Sequence, residues 1–280
     1  MRFNRIWTLL GAGAMSAALI TPQPSAAEPY PADAAPTTPV PTTPLPTTPA
    51  PTTPVPTTSA PATPGPVASE PVPVDPKPVD CSAVKCVALT FDDGPSTYTP
   101  KLLTMLEQHH ARATFFVVGY NTSRFPKALS RMVRDGFEIG THTQSHPDLR
   151  RLSPSRIRAQ LRGPIDDILA AGQPAVTLFR PPYGATNAKV TKIAKELGLA
   201  QILWSVDPWD WAVHNSRIVA DRILSHVGRG SIVLVHDIHP TTVAAMPKVI
   251  KTLQKRGYHL VTVSELLGPE LKAGRKYFRQ

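Results

Sequence analysis

The sequence after residue 80 predicts an α/β fold in which parallel strands close into a barrel. Short apolar runs alternate with amphipathic, helix-like stretches, and this strand-then-helix unit recurs seven times. The alternative is an open doubly wound sheet. A glycine-rich phosphate loop would favour that alternative, and the sequence has none. The predicted strands are residues 87–91, 113–118, 137–140, 176–179, 201–206, 231–235 and 259–263.

Helix-like stretches follow the strands, and proline marks the start of two of them. Pro100 and Pro154 each follow a hydroxyl residue, the cap-then-proline order that begins a helix. Gly163 and Pro164 fall inside the second of these helices, and we expect them to kink or break it. Further helices are predicted at residues 126–134, 187–197, 216–226 and 247–255.

Residues 1–27 have the features of an export signal. Arg2 and Arg5 precede an apolar run at residues 6–20, and residues 25–27 are small, as a cleavage site requires. The run is shorter than the roughly 20 residues of a membrane-spanning helix, so we expect removal of the segment and no stable membrane insertion. An uncleaved anchor is the alternative.

Residues 28–80 are rich in proline and threonine and contain a repeated Pro-Thr-Thr-Pro unit. Proline fixes φ and removes amide donors, so this composition predicts a disordered, extended linker. Residues 81–280 then form one domain of ordinary size.

The domain is basic, with 27 Lys and Arg against 15 Asp and Glu, a formal charge of +12. This balance favours acidic surroundings, which for an exported chain means anionic cell-wall polymer or a membrane surface. Nucleic acid is not expected, because no basic run is interleaved with aromatic residues.

The only cysteines are Cys81 and Cys86, at the start of the domain. After export they can pair if residues 82–85 turn back, since a disulfide needs Cα atoms about 4.4 to 6.8 Å apart. Two free thiols are the alternative.

Asp92 and Asp93 directly follow the first predicted strand and precede a Gly-Pro turn. Side chains at the carboxyl end of a parallel strand project into the cleft above the sheet, where two adjacent carboxylates can take different roles. Read alone, the same residues also fit a solvated turn.

His142 and His146 follow the strand predicted at residues 137–140. A spacing of four residues lets two imidazoles bind one metal ion, and an aspartate from a neighbouring strand end can complete the site. The glutamate of the His-Glu-x-x-His proteases is missing, which argues against that class. The alternative is ordinary surface or capping histidines.

Two further strand ends carry polar and aromatic residues. Arg180 and Tyr183 flank two prolines, so a rigid turn aims an arginine at a carboxylate and offers a fixed backbone amide to an oxyanion. Asp207 and Trp211 belong to a cluster of three indoles and two acids, which suits the apolar face and the hydroxyls of a sugar. Core indoles and a structural turn are the alternatives.

His236 ends the strand at residues 231–235. A histidine in this position is usually structural, but beside a metal hydrolase site it is a natural proton donor to a leaving group.

These pieces, in this order, resemble the NodB-homology polysaccharide deacetylases, carbohydrate esterase family 4. The resemblance covers about residues 87–267 and rests on five motifs: Thr-Phe-Asp-Asp-Gly at 90–94, His-Thr-x-x-His at 142–146, Arg-Pro-Pro-Tyr at 180–183, Asp-x-x-Asp-Trp at 207–211 and Leu-Val-His at 234–236. It implies a distorted, incomplete (β/α)7 barrel in a single catalytic domain. One departure is Gly136-Phe-Glu-Ile-Gly-Thr141, where the family often has Gly-His-Glu-Ile-Gly-Asn.

The resemblance also implies roles for these residues. The metal ligands would be Asp93, His142 and His146, holding Zn²⁺ or another divalent ion such as Co²⁺. Asp92 would be the general base, tuned by Arg180. Tyr183 would offer its backbone amide to the oxyanion. His236 would be the general acid, oriented by Asp207. Leu234 and Trp211 would line the acetyl pocket and the groove.

The implied function is an exported N-deacetylase of N-acetylglucosamine polymers that releases acetate. Peptidoglycan is favoured over chitin because the chain is basic and carries an export signal and a long linker. An acetylxylan esterase is the alternative within the family, and an inactive glycan-binding module is the alternative outside enzymes. We expect a secreted monomer that can associate with the cell wall.

Overall fold

The computed structural model describes residues 79–268 and 271–280. The predictions for residues 1–27, and for the linker up to residue 78, lie outside the described residues. None of the helices in the described ranges has the length and apolar character that crossing a membrane requires.

Eight strands form one curled sheet with the order β6-β1-β2-β3-β4-β5-β8, and β7 pairs with the amino end of β1. Every pair of named strands in this sheet is parallel. The strands are β1 (Cys86–Asp92), β2 (Thr114–Val117), β3 (Glu138–Thr141), β4 (Leu178–Phe179), β5 (Ala200–Ile202), β6 (Ser231–His236), β7 (His259–Leu260) and β8 (Lys276–Tyr277).

The sheet curls because the chain after β5 returns to β6. After β5, Val206 bridges to Val233 of β6 in the parallel sense, and after β8, Arg279 bridges to Ser231 of β6, so the two ends of the sheet order meet. The predicted α/β barrel is therefore confirmed as a curled, incomplete barrel. The eighth strand, β8, was missed; it fills the edge beside β5.

Helices surround the sheet. They are α1 (Thr99–Gln108), α2 (Gly119–Arg124), α3 (Pro126–Arg134), α4 (Pro154–Ala170), α5 (Ala188–Glu196), α6 (Asp210–Val213), α7 (Ser216–His226), α8 (Pro240–Lys255) and α9 (Val263–Leu267). α4 begins as predicted, with Ser153 as its cap and Pro154 as its first residue. In α1 the cap is Tyr98, so the predicted cap Thr99 is the first helical residue and Pro100 the second. The helix predicted at residues 247–255 begins seven residues earlier, at Pro240.

The predicted break at Gly163 and Pro164 is wrong, because α4 runs through both residues. Ile157, Leu161, Pro164 and Ile168 recur at helical spacing and are all buried. Burying such a face stabilises the helix by about 1.5 to 3 kcal/mol per large aliphatic side chain, enough to offset the roughly 3 kcal/mol that an internal proline costs.

Strand β1 is the centre of the molecule. All seven of its residues are buried, and it lies between β2 and β6. Phe91 stacks on Phe115 of β2, with ring centroids 5.1 Å apart. The register places Asp92 directly beside His236, so the last residues of β1 and β6 meet at one edge of the sheet.

Cys81 and Cys86 form a disulfide with a Cα–Cα distance of 5.5 Å. The intervening residues turn back, as pairing requires, and the amides of Ala83 and Val84 both donate to the Asp80 carbonyl. The bridge lies at the amino end of β1.

Candidate active site at the carboxyl ends of the strands

Asp93, His142 and His146 converge just beyond the ends of β1 and β3. The Asp93 Oδ1 atom lies 3.5 Å from Nε2 of each histidine, and one ligand atom from each residue falls within 4.8 Å of the others. Asp93 Oδ1 is also buried without a hydrogen-bond partner. A buried carboxylate oxygen without a partner is costly unless a cation joins it, so this donor set fits a divalent metal ion.

The surroundings of His142 leave its Nε2 atom free to bind. Its Nδ1 atom lies 2.7 Å from the Arg180 carbonyl, and a carbonyl only accepts, so Nδ1 carries the proton. Burial lowers the pKa of His142 to about 3, which keeps the ring neutral. A neutral imidazole whose second nitrogen donates to a carbonyl is the usual form of a metal-binding histidine.

The loop that carries the two histidines is packed between α2 and α4. The side chain of Gln144 occupies the space where Gly119 and Gly163 lack a side chain, and a Cβ atom at either glycine would overlap it. Gly119 also donates its amide to the carbonyl of Thr143. Gly163 therefore allows close packing of α4 against the histidine loop and does not end the helix.

Asp92 and Arg180 form a buried ion pair beside the three metal-ligand candidates. Arg180 donates from Nη1 to Asp92 Oδ1 at 2.7 Å and to Thr90 Oγ1 at 2.7 Å. The second carboxylate oxygen of Asp92 faces His142 Nε2 at 3.7 Å. Burial raises the pKa of Asp92 to about 6, although the guanidinium opposes this effect.

Arg180 is itself fixed from several sides. It is fully buried, and its guanidinium also donates to the carbonyls of Ile202 and Leu203 at 3.0 and 3.1 Å. It lies over the ring of Phe116, 4.3 Å from the centroid. Arg180 therefore holds Asp92 in one orientation.

His236 stands on the opposite side of Asp92 from β2, and its partner differs from the predicted one. Its Nδ1 atom lies 2.9 Å from Asp210 Oδ1, and its amide donates to Asp210 Oδ2 at 2.8 Å. Although burial disfavours the imidazolium, Asp210 outweighs it and raises the pKa of His236 to about 9. Asp210 therefore stabilises the protonated form of the His236 imidazole.

The prediction that Asp207 orients His236 is wrong. Asp207 Oδ1 instead accepts the amide of Trp209 at 2.9 Å, two residues along its own turn. Asp210 is the first residue of α6, and this short helix turns it inward, where it also accepts from Thr242 Oγ1 at 2.6 Å. Both acids stand in the same motif, so the spacing alone did not distinguish them.

The three remaining predicted residues lie around these groups. Tyr183 has a left-handed backbone with φ of 60°, and its ring packs against His146 with centroids 4.6 Å apart. Leu234 is buried in β6, beside Thr90 of β1. Trp211 is half exposed on α6.

Asp237 is a buried acid that the motifs did not single out. It accepts from Thr99 Oγ1 through Oδ2, while its backbone carbonyl accepts from Ser96 Oγ at 2.8 Å. A Cβ atom at Gly94 would overlap its carboxyl group. Asp237 therefore ties the end of β6 to the loop that follows Asp93, and burial raises its pKa to about 7.

Comparisons with known proteins match this architecture. The sequence profile of the family described as polysaccharide deacetylase matches residues 80–202. A peptidoglycan-N-acetylglucosamine deacetylase of Bacillus cereus is 40% identical over 193 residues, which cover 65% of this chain and 87% of the relative. The chain belongs to the NodB-homology polysaccharide deacetylases, carbohydrate esterase family 4.

Other polysaccharide deacetylases differ in length and in the substrate that their names state. The peptidoglycan-N-acetylglucosamine deacetylase PgdA of Listeria monocytogenes is 40% identical over 193 residues, 69% of this chain, but the match spans only 41% of the relative. A chitooligosaccharide deacetylase of Bradyrhizobium is 36% identical over 64% of this chain and 90% of the relative. The solved T48 deacetylase with substrate superposes with a TM-score of 0.68 at 40% identity, over 71% of this chain and 99% of that chain.

Proposed function

We propose that the chain is a divalent-metal-dependent polysaccharide N-deacetylase that removes acetyl groups from N-acetylglucosamine units and releases acetate. One observation carries the proposal: the unpaired Asp93 Oδ1 faces two imidazoles, with a base candidate and an acid candidate on the neighbouring strand ends. Family membership and the names of the relatives support it.

Asp93, His142 and His146 would hold the metal ion. The residues supply one carboxylate oxygen and two neutral imidazole nitrogens, a set that suits zinc and also cobalt. When bound, such an ion lowers the pKa of water towards about 7 and polarises a carbonyl group.

Asp92 would accept the proton of the attacking water. Its side chain is held beside the metal-ligand candidates by Arg180, so it needs no reorientation. A pKa of about 6 leaves it mostly ionised at neutral pH and basic enough to take a proton. The arginine keeps the carboxylate from becoming a stronger base.

Tyr183 would offer its backbone amide to the oxyanion that forms on the acetyl group. Its left-handed turn lies at Pro182 and Gly184, beside His146. A rigid donor in a water-poor site stabilises developing negative charge without reorganising.

His236 would donate a proton to the departing sugar nitrogen. Asp210 keeps the imidazole charged and oriented, and an amine leaves poorly without such a proton. Asp92 and His236 are register partners on adjacent strands, so the base and the acid stand at one edge of the sheet.

Peptidoglycan is the favoured substrate. The names of the Listeria and Bacillus relatives state peptidoglycan, and the basic domain suits an anionic wall. We further propose that residues 1–27 direct export, that residues 28–80 form a linker, and that the mature protein acts outside the cell as a monomer.

A substrate panel tests the proposal. The full chain, loaded with Zn²⁺, is incubated with peptidoglycan, N-acetylchitooligosaccharides and acetylated xylan, and released acetate is measured. We expect the highest turnover on peptidoglycan. Turnover on xylan alone would replace the proposal by an O-deacetylase, and no acetate from any glycan, with metal bound, would identify a binding module.

A further inference from the structure

Two histidines beside the reacting centre have no part in the chemistry above. His214 directly follows α6, and His239 directly precedes α8, so both lie next to the segments that carry Asp210 and His236. Their rings are in contact, with centroids 5.1 Å apart and an angle of 73° between the planes. His214 is exposed and His239 is half-buried, so ions in solution can reach this histidine pair.

The geometry of the histidine pair is close to that of the two histidines in the metal-ligand set. The ring centroids of His142 and His146 are 4.8 Å apart, and their planes are inclined at 60°. The His214 and His239 rings differ from this arrangement by only a few tenths of an ångström and a small rotation. Two imidazoles at such a separation can each turn a nitrogen toward one divalent ion.

The ring nitrogens of the histidine pair are not engaged elsewhere. In the part of the chain that the structure describes, the two side chains make ring contacts, with each other and between His239 and His236, but no hydrogen bond or ion pair. Asp210 lies 2.9 Å from His236 Nδ1 and balances the charge of that imidazolium. The neighbouring positive charge therefore does not exclude an ion from the histidine pair.

The histidine pair supplies two protein ligands, so it should bind an ion more weakly than the metal-ligand set. Asp93, His142 and His146 are the one group of three histidine, cysteine or acidic residues in the described ranges whose ligand atoms lie within 4.8 Å of one another. Water would complete the coordination at the histidine pair. Imidazole ligands suit zinc and copper, whereas magnesium and calcium prefer oxygen.

An ion at the histidine pair would crowd the candidate acid. The centroids of the His239 and His236 rings are 6.0 Å apart. In the proposed function, the departing sugar nitrogen has to come within hydrogen-bond reach of His236. An ion with its bound water would take up space on this side of the cleft and hinder entry of the glycan.

We propose that His214 and His239 form a second, weaker binding site for a divalent ion such as Zn²⁺, and that an ion bound there inhibits deacetylation by competing with the glycan. The inhibition rests on the proposed function, whereas the binding does not.

The binding test uses the full chain loaded with one equivalent of Zn²⁺ and adds further Zn²⁺ in a calorimetric titration. Wild type should bind a second equivalent at least about tenfold more weakly than the first, because it has one protein ligand fewer. His214→Asn and His239→Asn should each lose the second equivalent and keep the first. Asparagine suits both positions, since it tolerates the left-handed backbone of His214, with φ of 45°, and caps helices such as α8.

The activity test measures acetate release with one and with several equivalents of Zn²⁺. For wild type, the excess should raise KM about fivefold and leave kcat unchanged, because an occupied rim hinders binding and not the chemical step. Neither asparagine variant should respond to the excess. His259→Asn is the matched control, since His259 is an exposed histidine of β7 at the amino end of β1, and it should behave like wild type in both tests.

The inference is overturned if wild type binds a single equivalent, if either asparagine variant keeps the second one, if His259→Asn loses it, or if a second bound ion leaves KM unchanged. The stoichiometry separates this inference from the proposed function. A chain that binds two ions but releases no acetate would refute the deacetylase, and loss of the second ion from the two variants would still establish the site.

Discussion

At the residue scale, the two adjacent aspartates differ because their neighbours differ. Asp92 accepts from Arg180, whereas Asp93 faces two imidazoles with an unpaired oxygen. Substitution of either aspartate should therefore abolish activity, but for different reasons: at Asp93 through loss of the metal, and at Asp92 through loss of the proposed base.

Replacement of Asp92 by Asn should abolish turnover while the metal stays bound, because the amide cannot accept the proton of water. We expect acetate release to fall by more than about 100-fold. His142→Ala should instead lose the metal, since it removes one of three ligands. Metal content after dialysis and acetate release are measured on the same preparations; full activity in Asp92→Asn would show that another group is the base.

Substitutions of Asp207 and Asp210, the two acids of the tryptophan-rich motif, should also have different effects. Asp210→Asn removes the charge that holds His236 protonated, so the pKa of His236 should fall from about 9 and kcat should drop by about 100-fold. Asp207→Ala should act mainly on KM for long glycans, because it frees Trp209. NMR titration of His236 gives the first readout, and equal effects of both variants on kcat would contradict the assignment.

The residues of the site were largely predictable because most of them lie at, or soon after, the carboxyl end of a strand. Parallel strands end at one edge, so Asp93 and the two histidines had to come close once the strands were identified. The partner of His236 was not predictable, since Asp207 and Asp210 are both acids within one turn. Their directions depend on α6, a helix of four residues.

At the element scale, the packing of α4 on the histidine loop is tight at one glycine. Gly163→Ala would place a methyl group against Oε1 of Gln144, so the end of this side chain has to turn out of the space between α2 and α4. Because a flexible side chain can move at little cost, we expect at most about 1 kcal/mol of lost stability, together with weaker metal binding by the loop that Gln144 packs. Thermal unfolding and metal titration measure the two effects.

Gly228→Ala is the control for that substitution, because an added Cβ atom there would meet no atom within 4 Å. It should leave metal affinity at the wild-type level. If Gly163→Ala behaved like this control, Gln144 would not be fixing the loop.

Seven strands were predictable because they are apolar runs bounded by polar residues. The missed elements are short: β8 has two residues, α6 four, α9 five and α2 six. Such elements show no periodicity and form only against their neighbours. The prediction that Pro164 breaks a helix was wrong for a related reason. Burial of one face of α4 outweighs the low helix propensity of proline.

At the scale of the whole molecule, the burial of Asp237 should make stability depend on pH. Its pKa is about 7 in the folded protein against an ordinary value of 3.8, so its contribution is complete below pH 3.8 and is lost as the pH rises through 7. Asp237→Asn, which stays neutral, should gain stability relative to wild type across this window. The shift corresponds to at most about 4 kcal/mol.

The measurement is denaturant unfolding of both proteins at several pH values between 4 and 8. Asp221→Asn is a control of opposite sign, because a hydrogen bond from Lys248 lowers the pKa of that exposed carboxylate. A difference between Asp237→Asn and wild type that does not change with pH would contradict the buried, protonated state.

The disulfide marks the end of the domain at which the chain enters β1. Cys81 and Cys86 lie where the chain enters β1, whereas Asp92 ends the same strand. Seven residues of strand span about 20 Å, so the point of entry and the cleft are on opposite poles of the barrel. The chain therefore enters the described domain one strand length away from Asp92, at the pole opposite the cleft.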